Sequence, residues 1–103
     1  MDDALERARA FAAAGADGIM IHSRKKDPAE IVEFCDKFRA DDKDTPIVVV
    51  LSSFNVITDE ELAEHGVNIV IYANQLTRSA FPAMQKTTGD ILRYHRAKEV
   101  DLG

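Results

Sequence analysis

Three short apolar runs divide the chain, and a segment with helical spacing of apolar residues precedes each of them. The runs predict strands over Gly18–Ile21, Ile47–Leu51 and Val67–Tyr72. The second run is apolar at every position, which is typical of a strand covered on both faces, as in a parallel sheet or a barrel wall. Because helices alternate with these strands, the pattern predicts an α/β fold with parallel pairing through right-handed crossovers.

The first two helices are defined by periodicity and by their end signals. Apolar residues recur at helical spacing over Asp2–Ala14, and Gly15 is expected to cap the carboxyl end of that helix. Asp27-Pro28-Ala29-Glu30 matches a capping box with proline at the first helical position, so a second helix is expected to begin there. This helix should fade near Arg39, ahead of a polar loop.

The last two helices carry equally local signals. Thr58-Asp59-Glu60-Glu61 is a second capping box and predicts a short helix through Leu62, which His65-Gly66 is expected to end. A long C-terminal helix begins near Gln75, and Pro82 is expected to kink it or split it in two. The charged segment from Arg93 onward is expected to fray.

Composition and charge narrow the class of protein. A chain of 103 residues is one domain at most, and its net charge of −5 argues against a nucleic-acid or anionic-membrane partner. No apolar run approaches the ~20 residues of a membrane span, and the acidic start does not match a signal peptide. The lone cysteine, Cys35, lies on an apolar helix face, which predicts a buried, inert thiol and a cytoplasmic setting.

The candidate chemistry lies where the strands end. His22 and Ser23 follow the first strand, Ser52 and Ser53 follow the second, and Asn74 follows the third. Enzymes built on parallel strands place their active sites at the carboxyl ends of those strands. The pattern therefore predicts that any catalytic site lies at this edge.

Each candidate has a functional and a purely structural interpretation. An imidazolium at His22 could donate to a phosphate or carboxylate and stabilise charge, or the ring could simply pack at a strand end. Ser23 could bond to a substrate oxygen, although closing a turn is the favoured role. The basic loop Arg24–Lys26 could attract anions or be an ordinary solvated surface, and Asn74 is expected mainly to cap the helix that follows it.

The residues themselves predict no metal site. Asp41, Asp42 and Asp44 are close in sequence, but they lack the glycine and the distal glutamate of a calcium-binding loop. A solvated turn is the better interpretation of this cluster.

Six segments of the sequence, taken together, match a known pattern: Glu6–Ala10, Ala13–Gly18, Ile21-His22-Ser23, Lys25–Pro28, Val70–Asn74 and Pro82–Gln85. In these segments the chain resembles the phosphoenolpyruvate mutase and phosphonopyruvate hydrolase branch of the isocitrate lyase superfamily. The resemblance implies a partial eight-stranded α/β barrel, with the chain corresponding to the last three strands, their helices and a long C-terminal helix.

The resemblance also implies an activity. Members of the mutase branch interconvert phosphoenolpyruvate and phosphonopyruvate with Mg²⁺, through a phosphorylated aspartate. The family's nucleophilic aspartate, its acidic metal-binding cluster and its substrate-binding arginine lie on earlier strands and have no counterpart here. Of the catalytic set only the histidine maps, and it falls on His22, so Mg²⁺ is implied as a cofactor whose ligands this chain lacks.

Three functional hypotheses remain open. The first is a carboxyl-terminal part of a mutase-like enzyme, inactive alone, with hydrolase or carbon–carbon lyase chemistry as variants. The second is a segment that associates through its open sheet edges, through an inner face that includes Val48, Val50 and Ile69, and through the helix after Asn74, forming a homo-oligomer or pairing with a complementary half-barrel. The third is a small α/β module with a binding role of its own.

Overall fold

The computed structural model describes residues 1–51 and 56–101, and the chain divides into two compact units, Met1–Ala73 and Asn74–Gly103. Helices and strands alternate through the first unit as the apolar runs predicted. The first unit contains α1 (Asp2–Ala13), β1 (Ile19–Ile21), α2 (Ala29–Asp41), β2 (Ile47–Val50), α3 (Asp59–Glu64) and β3 (Ile69–Ile71), and the second contains α4 (Gln75–Tyr94) and α5 (Lys98–Asp101).

The three strands form a parallel sheet in the order β1-β2-β3. One face of this sheet forms the core, because side chains from α1, α2 and α3 pack against it. Within that core, the rings of Phe34 and Phe38 stack with their centroids 5.8 Å apart. The buried core residues are Leu5, Ala8, Ile19, Ile31, Phe34, Cys35, Phe38, Ile47, Val49, Leu51, Ile57, Leu62 and Val67.

The opposite face of the sheet is apolar but is not part of this core. It carries the alternate residues Met20, Val48, Val50, Ile69 and Ile71, which the strand register aligns with one another. Met20 is 60% exposed and Ile69 is 50% exposed, whereas Val48 and Val50 are half-buried. Within the first unit, sequential strand order with α1, α2 and α3 packed on one face is typical of a barrel wall, whose second face would line the barrel interior.

Both α1 and α3 end in a Schellman motif that places a glycine in the left-handed region. Gly15 has a φ of +103° and donates its N–H to the Ala12 carbonyl, and Gly66 has a φ of +91° and donates to the Ala63 carbonyl. The prediction that the first helix closes at Gly15 is therefore confirmed. The third helix continues through Leu62 to Glu64, and its predicted end at His65-Gly66 is confirmed.

The two capping boxes behave differently. Thr58 is the N-cap of α3, and its side chain accepts the N–H of Glu61 at 3.0 Å, as predicted. In α2 the cap residue is Pro28, so the prediction that proline is the first helical residue was wrong by one position. The Pro28 carbonyl accepts the first helical bond, from the N–H of Val32 at 3.0 Å, while Asp27 Oδ1 accepts the N–H of Ala29 at 2.9 Å ahead of the helix.

The second unit departs from the sequence-based expectations in three ways. The helix α4 is continuous across Pro82, so of the two predicted effects of this proline, a kink or a split, the split was wrong. Asn74 occupies its N-cap position, but the Asn74 side chain makes no capping hydrogen bond. Part of the charged tail that was expected to fray forms α5. Arg96, two residues before this helix, has its Nη2 atom 2.6 Å from Oε1 of Glu99 within it. Within the described residues, no helix is both long and apolar enough for a membrane crossing.

Candidate functional site

His22 and Ser23 lie at the carboxyl end of β1, where the sequence placed the candidate chemistry. His22 is exposed and Ser23 is half-buried. Both side chains line a cleft of about 110 Å³, together with Glu30 and the apolar residues Met1, Ala4, Ile21, Ile31 and Phe34. This edge therefore combines an imidazole, a hydroxyl and a carboxylate above an apolar floor.

The hydroxyl of Ser23 is engaged in local hydrogen bonds. It donates to Glu30 Oε2 at 3.0 Å and accepts the backbone N–H of Lys25 at 3.2 Å. This geometry supports a turn-closing role for Ser23. Contact between the Ser23 hydroxyl proton and a substrate would require its bond to Glu30 to open.

The basic loop after Ser23 is partly neutralised. Lys25 Nζ donates to Glu30 Oε1 at 2.8 Å, while Arg24 and Lys26 are exposed. The hydrogen bond from Lys25, and next the one from Ser23, lowers the pKa of Glu30. The same hydrogen bond raises the pKa of Lys25. At neutral pH both members of the Lys25–Glu30 pair are thus charged, and the positive charge of Lys25 is balanced by the Glu30 carboxylate.

A second contact at this edge was missed by the sequence analysis. The hydroxyl of Tyr72, just after β3, donates to Asp59 Oδ2 at 3.1 Å, and this bond raises the pKa of Tyr72. The signal was present, because the first turn of a crossover helix and the carboxyl end of the next parallel strand lie at the same edge of the sheet. Ser52 and Ser53, the candidates at the end of β2, lie outside the described residues.

The remaining candidates take structural roles. Cys35 is buried, as predicted, and burial raises the pKa of its thiol to about 11, which supports the interpretation of an inert side chain. His65 Nδ1 lies 2.8 Å from Asp36 Oδ1 at the end of α3. Asp42 accepts the backbone N–H groups of Asp44 and Thr45, which supports the turn interpretation.

The described residues do not fit a metal centre. Across residues 1–51 and 56–101, no group of three or more His, Cys, Asp or Glu side chains converges closely enough to hold a metal ion. The described residues at this edge therefore offer no set of carboxylates for a divalent cation.

Comparison with known proteins assigns the chain to a family. Residues 1–92 match the family described as Phosphoenolpyruvate phosphomutase. The chain belongs to this family. The expected kinship with the mutase and hydrolase branch of the isocitrate lyase superfamily is thereby confirmed.

Over the aligned residues, about a third of the positions in this chain are identical to those of the relatives. It is 35% identical over 88 residues to the phosphoenolpyruvate phosphomutase of Tetrahymena pyriformis, covering 85% of this chain and 28% of that protein. It is 36% identical over 100 residues to the phosphonopyruvate hydrolase of Variovorax sp. (strain Pal2), and this alignment covers 96% of this chain and 33% of that protein. The chain therefore spans a third or less of the length of these relatives.

A solved structure supports the partial barrel. The crystal structure of phosphoenolpyruvate phosphomutase from Streptomyces platensis subsp. rosaceus superposes on this chain with a TM-score of 0.89 and 33% sequence identity. The superposition covers 96% of this chain and 33% of that chain. The chain thus has the fold of a segment of an α/β barrel, as predicted.

Proposed function

We propose that this chain supplies part of the active-site edge of an enzyme that interconverts phosphoenolpyruvate and phosphonopyruvate. The observation that carries the proposal is the position of His22, exposed at the carboxyl end of β1 in a chain of the phosphoenolpyruvate phosphomutase family. Family membership supports the substrate class, and the edge geometry supports a binding role for the imidazole.

His22 is the catalytic and substrate-binding residue in this proposal. Its imidazole donates a hydrogen bond to a phosphoryl or carboxylate oxygen of the substrate and stabilises the charge that develops there. Ser23 contributes mainly by fixing the turn beside His22, since its hydroxyl proton is directed at Glu30.

Mg²⁺ is implied by the family resemblance, but the described residues do not provide its ligands. In this proposal the metal ligands and the nucleophile come from residues outside this chain, and the 103-residue polypeptide alone does not turn over phosphonopyruvate. The proposed setting is the cytoplasm, as the lone buried Cys35 suggests.

Phosphorus NMR tests both parts of the proposal, because it resolves phosphonates from phosphate esters. The isolated chain with Mg²⁺ and phosphonopyruvate should show no conversion. Transplanting the chain in place of the matching segment of the Streptomyces platensis enzyme should yield an active chimera. Conversion by the isolated chain would overturn the proposed inactivity.

The role of His22 is tested in the same chimera with a matched control. His22→Asn should lower kcat at least ~100-fold, because a hydrogen bond to a charged transition state is lost. His95→Asn changes a histidine in the left-handed C-cap of α4 and should leave kcat within about twofold. Equal rates for both variants would remove His22 from the catalytic set.

Phosphonopyruvate hydrolysis is the second candidate, favoured by the 36% identity to the Variovorax hydrolase over 100 residues. A mutase breaks the carbon–phosphorus bond and forms an oxygen–phosphorus bond in phosphoenolpyruvate, whereas a hydrolase releases pyruvate and inorganic phosphate. The phosphorus spectrum distinguishes these products. Carbon–carbon lyase activity is a further variant, since a probable 2-methylisocitrate lyase of Corynebacterium glutamicum is 35% identical over 94 residues.

A non-catalytic association role rests on a different observation, the apolar second face of the sheet. The exposed side chains of Met20, Ile69 and Ile71 lie on this face. We propose that this face, the open sheet edges and α4 mediate assembly, either as a homo-oligomer or with a complementary part of a barrel. Light scattering tests this, and a monomer at micromolar concentration argues against it.

A further inference from the structure

The carboxylate of Glu30 joins the two sides of the loop that follows His22. Its Oε2 atom accepts from Ser23 Oγ at 3.0 Å, and its Oε1 atom accepts from Lys25 Nζ at 2.8 Å. Ser23 Oγ in turn accepts the backbone N–H of Lys25 at 3.2 Å. These hydrogen bonds close a ring that ties the start of the loop to the first turn of α2.

This use of Glu30 differs from the capping role that the sequence predicted. The N-cap residue of α2 is Pro28, and the Oδ1 atom of Asp27 accepts the N–H of Ala29, so Glu30 takes no part in these contacts. The Glu30 side chain therefore reaches back over the loop, where it is half-buried and both of its oxygens are engaged. Its lowered pKa means that it holds these contacts as a carboxylate at neutral pH.

The ring of bonds acts on His22 through the backbone. On one side of His22, Ile21 is held in β1 by pairing with β2. On the other side, Ser23 is held by Glu30. The His22 side chain thus extends from a backbone fixed at both ends, into a cleft that Ser23 and Glu30 also line.

We propose that Glu30 is a positioning residue, which fixes the loop after β1 so that the His22 imidazole points towards the substrate edge. The claim that this position matters for catalysis rests on the proposed function. The claim that Glu30 sets it rests on the geometry alone. The alternative is an ordinary surface ion pair, which would have little influence on its neighbours.

Nuclear magnetic resonance of the 103-residue chain tests the positioning directly. Glu30→Gln keeps the shape of the side chain but removes its charge, so the bonds to Ser23 and Lys25 weaken. We expect the His22 ring proton resonances to move and amide exchange at Lys25 to accelerate on the order of tenfold.

Glu33→Gln is the matched control, because Glu33 forms an ion pair with Lys37 at 2.8 Å on the same helix. This variant should leave the His22 resonances unchanged. Lys25→Met is a second variant, which breaks the same ion pair by removing the charge of Lys25. It should shift the His22 resonances in the same direction as Glu30→Gln. If Glu30→Gln and Lys25→Met both match Glu33→Gln at His22, the proposal is wrong.

Activity measurements on the chimeric enzyme distinguish a failure of the Glu30 positioning proposal from a failure of the proposed function. Glu30→Gln should lower its kcat between about 10- and 100-fold, as expected for a misplaced catalytic group, while the control variant retains the original kcat. An inactive parent chimera would contradict the proposed function but leave the resonance shifts as valid support for positioning. If the chimera is active but Glu30→Gln leaves the His22 resonances of the 103-residue chain unchanged, only the positioning proposal is contradicted.

Discussion

Arg39 fills the space that a side chain on Gly66 would occupy. A Cβ atom built on Gly66 would lie 2.7 Å from both Cγ and Nε of Arg39. The Arg39 guanidinium donates to the Gly66 carbonyl from Nε at 3.1 Å and from Nη2 at 2.9 Å. It also donates to Asn68 Oδ1 at 2.8 Å, so one side chain of α2 holds the connection from α3 to β3.

This relationship predicts unequal costs for alanine at the two left-handed glycines. A Cβ atom on Gly15 would meet no atom within 4 Å, so Gly15→Ala introduces backbone strain alone. It should lower the free energy of unfolding by about 1 kcal/mol. Gly66→Ala has the same strain and must also displace Arg39, so it should lose about 2–3 kcal/mol. Urea denaturation measures both losses.

A double-mutant cycle identifies the cause. In an Arg39→Ala background, Gly66→Ala should cost no more than Gly15→Ala, because the displaced group is gone. An undiminished cost in that background would show that Arg39 is not responsible.

The buried thiol of Cys35 should resist alkylation. With its pKa raised to about 11 from 9.0, its thiolate fraction at about pH 8 falls from about one in ten to about one in a thousand. We expect iodoacetamide to modify Cys35 at least ~100-fold more slowly in native protein than in urea. Ala40→Cys in a Cys35→Ala background provides an exposed thiol on the same helix. Similar native rates for the two thiols would contradict the burial of Cys35.

Asp42 should make stability depend on pH at the acidic end. Its hydrogen bond from the Thr45 hydroxyl, and next the backbone bonds from Thr45 and Asp44, lower its pKa below the ordinary 3.8. Because folding lowers this pKa, the stabilisation is present above about pH 4 and is lost as the pH falls through the folded value. The stability difference between wild type and Asp42→Asn should therefore shrink from about pH 7 to about pH 3.

Asp44→Asn is the control for this titration, since Asp44 contributes its backbone N–H to the turn. Its stability difference from wild type should vary less with pH over the same range. A constant difference for Asp42→Asn would show that the Asp42 carboxylate is not what the turn depends on.

The apolar second face of the sheet should drive self-association. Replacing Ile69 and Ile71 by threonine keeps β-branched side chains in β3 but makes this face more polar. We expect the double variant to lower the average mass measured by light scattering. Val56→Thr changes an apolar residue that is 74% exposed outside the sheet and should leave the mass unchanged. Equal masses for all three proteins would argue against association through this face.

The sequence by itself determined the order of helices and strands, because each depends on local signals. Apolar runs, the Thr58 cap and the glycines after α1 and α3 need only neighbours within a few residues. The position of His22 at the end of β1 followed from the same reasoning, whereas its exposure is visible only in the structure.

Only the tertiary structure decided which polar groups meet. The Glu30 carboxylate could cap its own helix or reach back to Ser23 and Lys25, and local sequence favours the first. The contacts between Arg39 and Gly66 and between Tyr72 and Asp59 join elements that are distant in sequence. Such pairings depend on how helices cross the sheet, which periodicity does not encode.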